Sequence, residues 1–511
     1  MKTTVIFILG FFPIVSFAQF GVLDGDFDAD GIRLIQAANY PTRGFAVEVQ
    51  PDGKILVCGW ASLPSGAAAH VTRFFPDGSL DNSFGVNGQT ILLWNAANLE
   101  VYNMALQDDG NIVLVGGIDG AETGQVVIRI NGSDGCPDLS FGTDGFVLIP
   151  YTIVAYLYDV AIQPDGKIVA AGITAESDLD ITVVRLNTDG TLDTDFSFDG
   201  KVVTDVNLAD WAQGLVVGAD GKITVAGSTE HPGGNRNGLL VRYNADGTLD
   251  NTFGANGKVE LDVSTTVDEF HNLTTNGSGS IFAVGATSNP GYQFLTAKFN
   301  ADGTLDNSFS FDGVVQTDFA NGDDRAWDVI IQPDSRILVV GKAREVSDKL
   351  ALARYMPDGT LDISFGTGGK VLTANGTDNE LRAVALQSDL KILVAGTVLP
   401  VSGRQAIVVR YTSGMNVGIG EVEASIGSTL IYPNPITENS ITVEYELASD
   451  QEVSLSLFDM SGKLVLQLQP STQQVAGAYQ RTFSLPGLSS ANYLLKLDAQ
   501  QGSVSVKLMV D

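Results

Sequence analysis

Apolar residues in this chain fall in short runs broken by Gly, Asp and Pro, and the runs come in sets of four. In the first full set, Ala46–Gln50 is followed by Pro51-Asp52-Gly53 and then by Ile55–Gly59. Val71–Phe75 and Thr90–Leu93 complete the set. Runs this short, bounded by turn residues, predict β-strands. Pro-Asp-Gly suits a tight hairpin: Pro presets φ, Asp bonds its own backbone two residues on, and Gly takes positive φ. Each set therefore predicts one four-stranded antiparallel sheet, with strands A to D in chain order.

The set repeats. The stretch Gln50–Gly59 recurs with closing glycines at Gly116, Gly172, Gly227, Gly285, Gly341 and Gly396, so the period is near 56 residues. A second block, Leu-Asp-x-x-Phe-x-x-x-Gly, begins at Leu80, Leu192, Leu249, Leu305 and Leu361, with Pro137 replacing Leu in one copy. A long period built only of strands indicates a propeller rather than a solenoid. Seven A–B units are followed by only six second blocks. The seventh stands ahead of them all, as Leu23-Asp24-Gly25-Asp26-Phe27 with Gly31 in place. A strand at about 31–35 is therefore expected to complete the last sheet, because an open ring leaves a strand edge unpaired. The expected fold is all-β: a seven-bladed β-propeller closed by an N-terminal strand, over 19–412.

These two blocks resemble the delta-sixty repeat family of secreted bacterial β-propellers. The resemblance implies the fold and no activity; Ser278 and Ser335 depart from the first block.

The pattern stops at 413–428, a Gly/Ser/Val/Glu linker. Six strand-like runs follow between Ser440 and Val510, predicting a small Ig-like β-sandwich over 429–511. Tyr432-Pro433-Asn434-Pro435, then Gly462-Lys463 after Leu457-Phe458-Asp459-Met460-Ser461, then Lys507 near the end resemble the type A C-terminal sorting domain of the Bacteroidetes type IX secretion system. That resemblance implies the secretion machinery as a partner, and a secreted or cell-surface location. Residues 1–18 fit a signal peptide: Lys2, an apolar core from Val5 to Val15, and cleavage between Ala18 and Gln19. The core is too short to span a bilayer, which takes ~20 residues.

Charge narrows the partners. The chain has 60 acids and 29 bases, a net −31. That argues against nucleic-acid backbone and anionic membrane surfaces as ligands. Two cysteines do not make a disulfide framework, and Cys58, at a position otherwise Val or Ala, reads as a buried apolar residue.

Linear catalytic motifs (HExxH, GxSxG, P-loop, CxxC) are absent, no catalytic residue is assigned, and His70, His231 and His271 hold different repeat positions. Copy comparison separates scaffold from function. A base on strand C and the acid of the Leu-Asp block recur in every copy: Arg73/Asp81, Arg129/Asp138, Arg185/Asp193, Arg242/Asp250, Lys298/Asp306, Arg354/Asp362 and Arg410/Asp24. Seven copies of one pair predict a structural ion pair in each sheet.

The A–B and C–D turns recur, while the B–C and D–A loops differ, so one face is uniform and the other diverse. Binding residues favour variable loops on a rigid scaffold. The diverse face offers Trp60, Trp94, Trp211, Tyr151 and Tyr292, and the acids Asp210, Asp268 and Asp324. No cofactor or metal is assigned. Calcium is conceivable at the acids of the diverse face, or at Asp24-x-Asp26-x-Asp28-x-Asp30, which has Ile35 where a calcium loop has Glu. The expectation is a monomeric, non-enzymatic propeller that binds a glycan or protein through its diverse face. The alternatives are a glycoside-active hydrolase or lyase using the same loops, and a structural adhesion protein.

Overall fold

The computed structural model describes residues 20–414 and 430–510, apart from 38, 95–96, 176–177, 289–290, 320–321, 433–435, 437–439, 448–449, 460–463, 487, 489–490 and 500–501. The signal peptide with Ala18 and Gln19, the linker from 415, and Pro433, Asn434, Pro435, Gly462 and Lys463 lie outside the described residues, as does the Lys507 side chain. The chain divides into two compact units, Met1–Gly414 and Met415–Asp511.

Every described regular element is a strand. The first unit holds seven four-stranded antiparallel sheets. Their first strands are Thr42–Val49, Asn98–Leu106, Ala155–Ile162, Asp210–Val217, Asp268–Thr275, Arg325–Ile331 and Asn379–Leu386, and these name sheets 1 to 7. Each first strand neighbours the next, and that of sheet 7 neighbours that of sheet 1, so they line a central channel. Sheet 7 takes its fourth strand from the other end of the chain: Ile32–Ile35 pairs with Gln405–Tyr411, Ile32 opposite Val409.

The repeated residues lock this ring. All seven strand C bases contact their block aspartates at 2.6–2.8 Å. Asp24 closes the last pair with Arg410 at 2.7 Å and Lys391 at 2.9 Å. Each arginine of these pairs also reaches the next sheet: Arg73, Arg129, Arg185, Arg242, Arg354 and Arg410 donate to the carbonyls of Gly132, Thr188, Ala245, Ala301, Ser413 and Pro76. The seven block phenylalanines are 0% exposed, and the arginines stack on six of them. Turn aspartates behave as their chemistry requires; Asp52 Oδ1 accepts from Lys54 N at 3.1 Å, and Gly53 sits at φ +85°.

The second unit has two sheets, one of three strands (Leu430–Tyr432, Ser440–Leu447, Gly477–Ser484) and one of four (Leu464–Gln474, Gln451–Asp459, Ala491–Ala499, Gly502–Val510). Alternate residues of both sheets, among them Val443, Tyr445, Leu455, Leu457, Leu495 and Leu508, meet in one core. Of the sorting residues, Tyr432 is exposed and donates to Glu444 at 2.5 Å.

Candidate functional site: the channel collar

Each first strand carries a β-bulge at one equivalent point, at Phe45, Tyr102, Tyr158, Gln213, His271, Trp327 and Arg382. The closing glycine of strand B explains it. A Cβ at Gly59 would lie 1.9 Å from the Arg43 carbonyl oxygen, and at Gly227 1.6 Å from that of Trp211; the other five copies are as tight. Only glycine admits this approach, and the bulge it permits turns one extra residue inward. All seven bulge residues line one cavity of about 480 Å³, joined by Arg43, Trp60, Asn103, Trp211 and Asn272.

Six bulge residues form a continuous collar. His271 stacks on Trp327 at 3.9 Å, and the Arg382 guanidinium lies 3.5 Å from the Trp327 ring centre. Arg382 then reaches Phe45 at 5.7 Å, Phe45 meets Tyr102 edge-on at 5.1 Å, and Tyr102 meets Tyr158 at 5.0 Å. Gln213 fills the remaining sector.

His271 is held on both sides. Its Nδ1 lies 2.6 Å from the Ala326 carbonyl and its Nε2 3.2 Å from Glu269 Oε1. Glu269 also takes Arg325 at 2.8 Å and Arg236 at 3.3 Å. Burial alone would raise the Glu269 pKa, but His271, Arg325 and Arg236 hold it down at about 2. Both ring nitrogens are thus taken up by protein oxygens.

Toward the A–B turns the channel opens into a second space of about 200 Å³ containing Glu48, Asp159 and Asp328. Asp159 accepts from Asn103 Nδ2, Val160 N and Leu215 N at 2.5–2.8 Å, tying sheet 3 to sheets 2 and 4. Asp328 repeats this with Asn272, Val329 and Val384 at 2.7–2.8 Å, tying sheets 5, 6 and 7. Burial raises both acids to about 7, against those N–H donors. Glu48, on sheet 1, is pushed to about 7 by burial and by the Asp328 charge. Glu48 and Asp328 keep part of their surface open to the channel while lying deep in the ring.

The expected ligand face divides. Trp60 and Trp211 are at the cavity, on strands rather than loops. Trp94 is not; it packs on Phe146 at 5.3 Å and donates to Glu122 at 2.6 Å. Tyr151 packs against the core between sheets 2 and 3, and Tyr292 lies under Arg325 at 3.7 Å. Asp210, Asp268 and Asp324 are corrected most sharply: all three are 0% exposed. They accept loop N–H groups, from Val206 and Asn207, from Val263 and Ser264, and from Phe319, so they pin the D–A loops instead of facing a ligand.

Asp180, Asp205 and Asp210 bring one oxygen each within 4.8 Å of one another. Calcium takes six to eight oxygens, some of them from backbone carbonyls and water, so this cluster by itself assigns no metal. In the N-terminal aspartate run, Asp24 is committed to Arg410 and Lys391, and Asp28 to Arg33 at 3.0 Å. Cys58 and Cys136 are both free thiols, the first buried and the second exposed.

Sequence reading missed the collar itself. Its signal is present: the residue five places before each first block is Phe, Tyr, Tyr, Gln, His, Trp or Arg, a different chemistry in almost every copy at a fixed scaffold position.

A family model described as a domain of unknown function (DUF5122) beta-propeller matches residues 50–84, 163–196, 218–253, 277–309 and 332–365. A secretion system C-terminal sorting domain matches 430–511. No curated protein matches the chain. Among solved structures, a Staphylococcus aureus virginiamycin B lyase is similar over 74% of this chain and 98% of its own, at 12% identity and a TM-score of 0.39. An ulvan lyase covers 75% and 96%, at 12% and 0.39. Sqt1 from Chaetomium thermophilum covers 92% and 97%, at 10% and 0.41. Likenesses this distant say nothing of activity. The chain is a β-propeller of DUF5122 repeats with a C-terminal sorting domain, exported by type IX secretion to the outside of the cell or the outer-membrane surface.

Proposed function

We propose that the propeller binds a saccharide in its central channel. One observation carries this reading: seven equivalent positions, one per sheet, hold six different side chains, and all converge on one cavity. About 480 Å³ is the scale of a small-molecule or oligosaccharide site, in the usual 300–1,000 Å³ range. A protein partner instead needs about 800 Å² of surface per side. Aromatic rings pack the C–H faces of a sugar, and the Arg, Gln and Asn groups between them meet its hydroxyls. Three of the four tryptophans line the cavity, so ligand entry should change intrinsic emission. The test is a titration of the full mature chain with oligosaccharide panels, wild type against Trp327→Leu. Saturable quenching lost in the variant supports the reading; a response only to peptides or proteins overturns it.

A second reading, hydrolysis of a glycosidic bond in the same channel, has Glu48 in its favour. A carboxyl near pKa 7 beside a saccharide channel suits a general acid. Product release abolished by Glu48→Gln, with binding kept, would establish it.

A further inference from the structure

We infer that the channel ligand is an acidic saccharide, with a carboxylate or sulfate group seated against Arg43 and Arg382. The inference rests on the saccharide reading above and narrows it. Its basis is the pairing of charges around the cavity. Glu100 accepts from Tyr102 at 2.5 Å, and Glu269 is held by Arg325, Arg236 and His271. Arg404 pairs with Asp378 at 3.2 Å. Arg382 gives one nitrogen to Glu380 at 3.0 Å, while its Nε is buried without a partner.

Arg43 is different. It lines the cavity half-buried, packed at 5.2 Å over Trp60, and no described carboxylate pairs with it. Burial, then the like charge of Arg404 and further that of Arg382, lower its pKa against the pull of Glu380 and Asp378. In a chain with 60 acids and 29 bases, an unpaired guanidinium is unexpected. A half-buried cation without an anion is costly, and an incoming anion offsets that cost. Stacking leaves the guanidinium edge free for bidentate contact, the geometry that suits carboxylate and sulfate. The indole N–H groups of Trp60 and Trp327 are buried without an acceptor and closed to solvent, so they are no contact for the ligand. Among the described residues no acidic side chain lines this cavity, within a protein whose overall charge is strongly negative.

The test uses the full mature chain and size-matched probes: neutral galacto-oligosaccharides, oligogalacturonates, and sulfated galacto-oligosaccharides. Tryptophan quenching and calorimetry read affinity. Expected is at least a tenfold preference for one acidic class over the neutral probe, and which class wins identifies the anion. Arg43→Gln should shrink that acidic-to-neutral ratio to below threefold, and Arg382→Gln should shrink it as well. Thermal melts identify any variant that fails to fold, and the wild-type ratio tests the inference without variants. Neutral probes binding as tightly as acidic ones would overturn the inference and leave the saccharide reading standing. No binding of any probe, or binding insensitive to Trp327→Leu, would overturn both.

Discussion

Each sheet of the propeller has two ends of opposite character. On the C–D side, one base, one aspartate and one phenylalanine recur in every copy; the ion pair is kept in all seven, and the stacking on the block phenylalanine in the six arginine copies, Lys298 in sheet 5 being the only change of base. On the channel side, the bulge residue differs almost every time while its backbone stays fixed by the closing glycine. The contrast teaches where constraint lies. Residues that join one sheet to the next are held to one solution by geometry. Residues that face the channel are free of that demand and are available to a ligand.

The largest break in this comparison is removal of the clasp. Deleting 20–35 exposes the edge of Gln405–Tyr411 and takes Asp24 from Arg410 and Lys391. Stranding one buried pair alone costs about 3–5 kcal/mol. A thermal melt should fall steeply and lose cooperativity; an unchanged midpoint would mean that the ring does not depend on closure.

The next test sets the two ends of one sheet against each other. In sheet 3, Arg185→Met should cost about 3 kcal/mol in denaturant unfolding, the low end for a buried pair because Lys167 still contacts Asp193 at 2.9 Å. Ligand affinity of the folded fraction should not change. Tyr158→Ala should do the reverse, with about tenfold weaker saccharide binding and the smaller stability loss. Equal effects of both variants on binding would erase the distinction between scaffold and collar.

A pH series sharpens the same contrast. Glu48, Asp159 and Asp328 have folded pKa values of about 7, above the ordinary carboxylate value near 4. Between those values the folded chain keeps protons that the unfolded chain releases, so these groups lower stability as pH rises from about 4 to 7. Glu269 and Asp306, at about 2, act oppositely: their contribution is present above about pH 4 and lost as pH falls toward 2. Asp306 owes its value to Lys298 and Ser308, outweighing burial. The melting temperature should therefore peak near pH 4 and be lower at pH 8. Glu48→Gln should flatten the decline. A higher midpoint at pH 8 would count against the buried acids.

The repeat, the strand count and the clasp are legible in sequence because each rests on local spacing. Leu23-Asp24 is recognisable as a displaced block since its six relatives are present. The collar is harder, since strand A reads as a plain apolar run and the bulge shows only in the backbone. Asp210, Asp268 and Asp324 mislead for a related reason. An acid in a −31 chain suggests surface, and nothing local reveals that three loop segments turn their N–H groups onto it.

The smallest effect lies on the uniform face and asks how uniform it needs to be. Five A–B turns place glycine at the left-handed position, at φ +77° to +85° in Gly53, Gly110, Gly166, Gly221 and Gly279. Sheets 6 and 7 place Ser335 and Leu390 there, at +68° and +64°. A left-handed L-residue costs roughly 1–2 kcal/mol, and glycine gives back part of that gain through its freer unfolded chain. Ser335→Gly and Leu390→Gly should each raise stability by about 0.5–1 kcal/mol, with ligand binding unchanged. The two sites lie in different sheets and share no partner, so the double variant should sum them. Destabilisation by either change would show that the side chain, and not the turn, sets that position.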